Sequence, residues 1–225
     1  MFGATRTGMP IQRALLLAYP HDPAVADLSD EYLYGSEILV APVTEAGPPA
    51  HPDHPVMSAR SVYFPAGRWF SFPDAKTVQT GSATATVSAA IDQIPVFVRE
   101  GAIVPMGDIW RGNNRWTPHW TPRLSLEMYP WGSGRGRVAS RFDYYDGSRV
   151  NTITMKPVGS GVQVEFGDLG TAGVIRLHCH RLDGVSLNGQ RLAPGKGYRF
   201  DPVAEVALIP FDGRVKLKIQ EISGL

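Results

Sequence analysis

Apolar residues along the chain come in short runs separated by Gly, Pro and Asx, a pattern that predicts strands and tight turns rather than long helices. The first run, 11–19, suits a strand or a short helix, and Pro20 and Pro23 stop it. A helical turn is predicted over 27–33, with Asp27 or Ser29 as N-cap and Gly35 as its end. Ile38, Leu39, Val40 and Val43 predict a buried strand that Pro42 confines to an edge or bulge. The segment 60–65 alternates like a strand, Ala66-Gly67 makes a turn, and Arg68-Trp69-Phe70 is expected to return as the second strand of a hairpin. A weak, solvent-facing strand follows at 80–89, then two strands around a tight turn at Glu100-Gly101.

Residues 106–122 have the composition of a loop, with Gly107, Gly112, Pro118 and Pro122, yet carry Trp110, Trp116 and Trp120. Beyond them, strands are predicted at 124–129, 142–145, 153–156, 161–166, 174–180, 185–187 and 215–219. Asp146-Gly147, Asp183-Gly184, Asn188-Gly189 and Asp212-Gly213 supply turns. Repeated short strands with Asx-Gly turns imply an all-β sandwich.

Composition agrees. Of 225 residues, 43% are hydrophobic, enough to fill a core, and Gly (24) and Pro (19) are frequent. With 22 basic and 21 acidic residues there is no electrostatic footprint for nucleic acid or an anionic membrane, so neither partner is expected. The single cysteine, Cys179, excludes an intrachain disulfide. The N-terminal run lacks a small-residue cleavage site, and ILVAPV is too short to span a bilayer. A soluble, cytoplasmic protein without cofactor is the expectation.

Three ordered stretches carry a resemblance. Gly8-x-Pro10-x-x-Arg13, Tyr19-Pro20-x-Asp22 and DEYLYGSEILVAPV (30–43) come first, then VYFPAGRWFSF (62–72), then IDQIPVFVREGAIVP (91–105). Together they resemble the end of the catalytic barrel and the following β-sandwich of glycoside hydrolase family 31, the retaining α-glucosidases, α-xylosidases and relatives. RFDYYDGSR (141–149) is similar to a motif of that family's distal domain, with Tyr145 where an acidic residue is usual, and GVSLNGQRL (184–192) is similar to a later hairpin. The resemblance implies two antiparallel β-sandwich domains preceded by a short remnant of a (β/α)8 barrel: 1–36 barrel end, 37–108 proximal sandwich, 109–122 boundary loop, 123–225 distal sandwich. It also implies that the family's catalytic aspartates lie upstream, so no catalytic position carries over and the chain looks like the C-terminal portion of a larger enzyme.

Glycoside hydrolysis needs two carboxyl groups, about 5–5.5 Å apart for retention. Asp143 and Asp146 are close in sequence, but Asp146 suits a turn. Asp22, Asp27, Asp30 and Glu31 suit capping of the nearby helix. On a strand His178 and His180 share a face while Cys179 points away, too few ligands for a structural zinc. His51, Asp53 and His54 fit an exposed loop, and no metal is expected. Tyr63, Trp69, Phe70 and Phe72 suit a core. Trp110, Trp116, Trp120 and Trp131 are the candidate carbohydrate-binding residues, because flat indoles suit the C–H face of a sugar.

A non-catalytic β region that buttresses a barrel is therefore expected, against two alternatives: a stand-alone glycosidase with its own carboxylate pair, and a carbohydrate-binding module. Leu15, Leu16, Leu17, Ile38 and Leu39 would be bare without a barrel, which predicts a barrel-bearing partner, a homodimer, or docking of the leader onto the sandwich.

Overall fold

The structure, a computed structural model, describes residues 2–44, 57–76, 78–90, 92–107, 124–131, 138–145 and 148–223. It divides into two compact units, Met1–Glu100 and Gly101–Leu225. None of its described helices is long and apolar enough to cross a membrane.

The first unit contains α1 (Phe2–Thr7), β1 (Gln12–Ala14), α2 (Leu15–Ala18), a 3-10 turn (Pro23–Val25), β2 (Tyr32–Tyr34), β3 (Ile38–Val40), β4 (Met57–Phe64), β5 (Arg68–Ser71), β6 (Val78–Thr80), β7 (Ala83–Ala90) and β8 (Val96–Arg99). Six of its strands form an antiparallel sheet in the order β1-β2-β3-β8-β5-β6, and β4 pairs with β7 as a separate ribbon. The ribbon's Phe64 meets the sheet's Phe97 edge to face, ring centroids 4.8 Å apart. Leu15, Leu33, Leu39, Val62 and Trp69 complete a core in which each is fully buried.

Several expectations change here. The run at 11–19 is both elements, a strand that becomes one helical turn at Leu15. No helix forms over 27–33. Asp22 caps the 3-10 turn instead, accepting the Ala24 N–H at 3.1 Å, because Pro23 suits a first helical position. Tyr32–Tyr34 is a strand paired to both β1 and β3, and Gly35 (φ 69°) forms the turn into β3. Segment 8–36 supplies two strands of the sheet. β3 lies between β2 and β8, not at an edge, and ends two residues before Pro42.

The expected hairpin of 60–70 is also absent. β4 pairs with β7, while β5 joins β8 and β6. Pro65 offers no N–H to continue a ladder, and its carbonyl accepts the Trp69 indole N–H at 2.8 Å, turning the chain from ribbon to sheet. The chain returns at Gly81, where a Cβ would sit 1.8 Å from the Pro65 carbonyl oxygen.

The second unit contains β9 (Ile103–Gly107), β10 (Leu124–Met128), β11 (Ser140–Tyr145), β12 (Val150–Val158), β13 (Gly161–Phe166), β14 (Gly173–His178), β15 (Arg181–Asp183), β16 (Ser186–Leu187), β17 (Gln190–Arg191), β18 (Arg199–Asp201), β19 (Val206–Phe211), β20 (Val215–Ile219) and β21 (Glu221–Ser223). Two sheets, β18-β19-β14-β10-β9 and β11-β12-β13-β20-β16-β17, enclose a core that includes Leu126, Ile175, Leu177 and Ile209 from one and Ile153, Met155, Val164 and Leu217 from the other. Strands β10 and β14 pair in parallel. Asn188 (φ 52°) and Gly189 (φ 85°) make the tight hairpin between β16 and β17 that their sequence demands.

Two features escape the sequence pattern. β9 pairs with β10, so the Glu100-Gly101 turn separates β8 and β9 into different sheets. β19 was not expected, because Pro210 interrupts its apolar run. β18 reaches only Leu208, leaving Pro210 on a stretch of β19 that, among the described residues, has β14 as its one ladder partner, where proline is tolerated.

Gly101 (φ 81°) is where the second unit begins. Its N–H bonds the Tyr129 carbonyl at 2.6 Å, and a Cβ would lie 2.8 Å from Trp131 Nε1 and 2.9 Å from Ser140 Oγ. Gly170 has a similar φ of 73° with open space around it. Gly101→Ala is expected to lower stability by roughly 2–3 kcal/mol, combining backbone strain with the clash, and Gly170→Ala by about 1 kcal/mol. Urea unfolding of the two variants checks the difference.

Candidate functional site

The acidic residues of the leader gather around β4. Glu31 is 2% exposed, and its two oxygens lie 3.2 and 3.3 Å from the backbone N–H of Tyr63. Arg60 reaches Glu31 Oε2 at 3.4 Å, donates to the Asp30 carboxylate and carbonyl, each at 2.7 Å, and donates to the Pro42 carbonyl. Tyr63 donates its hydroxyl to Asp22 Oδ2 at 2.6 Å, the same side chain that caps the 3-10 turn. Capping is thus the role of Asp22 alone. Asp27 lies exposed beside no helix, while Asp30 and Glu31 bind the leader to the ribbon.

Burial pushes the Glu31 carboxyl up to about 7, against the pull of the Tyr63 N–H and the Arg60 guanidinium, with Asp30 adding to the rise. That value would suit a general acid. The geometry does not, because the carboxyl is sealed from solvent with its oxygens turned to the β4 backbone and Arg60. Asp143 is likewise committed, accepting from Arg141 at 3.0 and 3.2 Å and from the Thr152 hydroxyl at 2.8 Å. Asp146 lies outside the described residues.

In the second unit, the parallel pairing of β10 and β14 builds a cluster that sequence reasoning missed. Glu127 accepts from Ser125 Oγ at 3.1 Å and Arg176 Nε at 2.7 Å, and its other oxygen is 2.9 Å from His178 Nε2. The Tyr129 ring stacks on the imidazole, centroids 4.3 Å apart. His178 is 1% exposed, and its Nδ1 has no hydrogen-bond partner among the described residues. A carboxylate beside an imidazole can orient a catalytic base, but among the described residues no hydroxyl or thiol bonds this imidazole. Cys179 is buried, with Sγ 3.7 Å from the Leu177 carbonyl, and burial, helped by Glu205, pushes its thiol up to about 12.

His178 and His180 do not act as one pair. His180 is half exposed and bonds Glu205 at 2.7 Å. Among the described residues, no group of three or more His, Cys, Asp or Glu is arranged to hold a metal. His51, Asp53 and His54 lie outside them, as do Trp110, Trp116 and Trp120. Trp131 is half buried, packed against the second core with its indole edge at Gly101. Of the other aromatics, Trp69, Phe70 and Tyr63 are buried in the first unit.

The raised Glu31 value makes stability depend on pH. An unfolded glutamate titrates near ~4.3, so between there and about 7 the folded state holds more protons, and stability falls as pH rises through that window. Glu31→Gln, which retains an acceptor for the Tyr63 N–H, should remove a pH-dependent component on the order of 3 kcal/mol. Urea midpoints measured from pH 4.5 to 8 (roughly the span of the two values) should slope for the parent and flatten for the variant.

Residues 8–104, which hold the whole first-unit sheet, match the family model described as "Glycosyl hydrolase family 31 C-terminal domain". The isomaltosyltransferase of Sporosarcina globispora is 32% identical over 162 residues, covering 67% of this chain and 13% of that protein. Alpha-glucosidase 2 of Bacillus thermoamyloliquefaciens is 30% identical over 165 residues, covering 73% of this chain and 19% of that protein. The chain therefore spans less than a fifth of either relative. Its fold matches that of the family 31 dextranase of Flavobacterium johnsoniae, solved with isomaltotriose, at a TM-score of 0.79 and 23% identity, over 97% of this chain and 30% of that one. Residues 8–104 thus match the C-terminal domain of glycosyl hydrolase family 31, the two relatives carry the likeness over 67% and 73% of the chain, and the dextranase shows the same fold.

Proposed function

We propose that this chain is an accessory, non-catalytic region for α-glycoside hydrolysis, which buttresses a family 31 barrel and helps to shape the enzyme around its carbohydrate. The observation that carries the reading is the commitment of its candidate acids. Asp22, Asp30, Glu31 and Asp143 are bound into structural contacts, and the most proton-retentive of them is sealed. The domain reading at 37–108 and 123–225 with a boundary loop at 109–122 belongs to the same proposal.

The partner follows from the leader. Leu15 is buried, but Leu16, Leu17 and Tyr34 are 43%, 50% and 54% exposed. Burying such side chains contributes ~1.5–3 kcal/mol each, which supports association with barrel-bearing polypeptide over self-pairing, since the family match begins within this leader. Docking of the leader onto its own sandwich accounts for Leu15 and Leu39 but not for these three. The one thiol, buried, accords with a cytoplasmic setting.

The chain alone should release no nitrophenol from α-glucoside or α-xyloside substrates. Mixed with a recombinant family 31 barrel segment it should co-elute with it, and Leu16→Glu with Leu17→Glu should abolish co-elution while leaving the circular dichroism unchanged. Turnover by the chain alone that disappears in Asp143→Asn or Glu31→Gln would overturn the reading, and a stable homodimer without barrel affinity would overturn the partner.

A further inference from the structure

A cleft of about 600 Å³ opens within the first unit, lined on one side by β7 and on the other by β6, the turn after β5 and the approach to β8. Besides Ser71 and Asp74, four polar side chains line it: Gln79, Thr86, Ser88 and Gln93. None of the four side chains has a hydrogen-bond partner among the described residues, and the last three are exposed. Asp74 contributes the one carboxylate of the described lining, with Oδ1 already taken by Ser71 Oγ at 2.6 Å and the Lys76 N–H at 3.2 Å. Apolar surface is interleaved with these groups: half-buried Phe72, Ile94 at 60% exposure, and buried Phe97.

This combination selects a ligand class. No Lys or Arg is among the described lining residues, so a phosphate or carboxylate ligand would meet no countercharge. An aliphatic ligand would dehydrate the two amides and two hydroxyls without replacing their bonds to water. A ligand that alternates hydroxyl groups with C–H faces satisfies both kinds of surface, and the volume lies in the range of small-molecule sites. We propose that this cleft binds a short neutral oligosaccharide, giving the C-terminal region a carbohydrate site of its own on the β7 side of the first unit. The ligand class rests on the lining and not on the buttress role, so either can fail without the other.

The test is an amide-resolved NMR titration of the full chain with maltotriose and isomaltotriose, with glucose 6-phosphate as a charged probe. Saturable shifts are expected at Gln79, Thr86, Ser88 and Gln93 for the neutral sugars, with weaker binding of the phosphate. Gln79→Leu combined with Gln93→Leu should raise Kd at least tenfold with Tm unchanged. If that pair disturbs folding, Thr86→Val with Ser88→Ala, both on exposed positions, should weaken binding in the same direction. Absence of saturable shifts at these four residues, unaltered Kd in a folded variant, or tighter binding of the phosphate would each overturn the proposal. Barrel co-elution is read separately and does not depend on the cleft.

Discussion

The first unit depends on the guanidinium of Arg60. Its side chain is 9% exposed, and it ties the ribbon strand β4, which pairs with β7 rather than with β2 or β3, to the loop before β2 and the exit from β3. A charge so placed loses hydration, and the fan of Asp30, Glu31, Pro42 and Ser61 oxygens compensates for it. Breaking such an arrangement by removing one partner is more damaging than never having built it, because the charge left behind stays buried. Glu31 is the member that carries the strain, since it must be dehydrated to close the joint and therefore retains its proton more strongly than an exposed carboxyl.

The same joint explains why an apparent active-site signal is structural. A buried carboxyl with a raised proton affinity is what a general acid requires. It is equally what results when a loop is pinned beneath a ribbon. The distinction lies in access, and here the carboxyl faces main chain on one side and Arg60 on the other. In the second unit, Glu127 and His178 are likewise closed in, with Tyr129 stacked on the imidazole.

How much of this was legible in the sequence varies by element, for physical reasons. Strands whose apolar positions alternate, such as 161–166 and 215–219, were read at their observed limits, because period two marks a strand with one buried face. Their partners were not. Alternation fixes which face is buried but carries nothing about which strand lies alongside, so β4 and β5 were joined as a hairpin and the parallel β10–β14 pair was invisible. The Glu127 cluster was lost for the same reason, since Glu127 and His178 are 51 residues apart in sequence and meet only through that pairing. Asp27–Leu33 reads as a helix because acidic residues before an apolar run resemble a cap, whereas here Asp30 and Glu31 serve a long-range contact to Arg60. The candidate tryptophans divide: Trp131 is explained by packing at Gly101, and the other three fall outside the described residues.

The position of Pro210 has one more consequence. Where β18 ends, β19 has no further ladder partner on that side among the described residues. A bare margin of this kind is a template on which foreign strands can dock and fibrils can grow. The pyrrolidine nitrogen carries no hydrogen, so an incoming strand would find a gap at that point in any ladder it tried to extend. The residue that concealed β19 from sequence pattern also guards the molecule against templated aggregation.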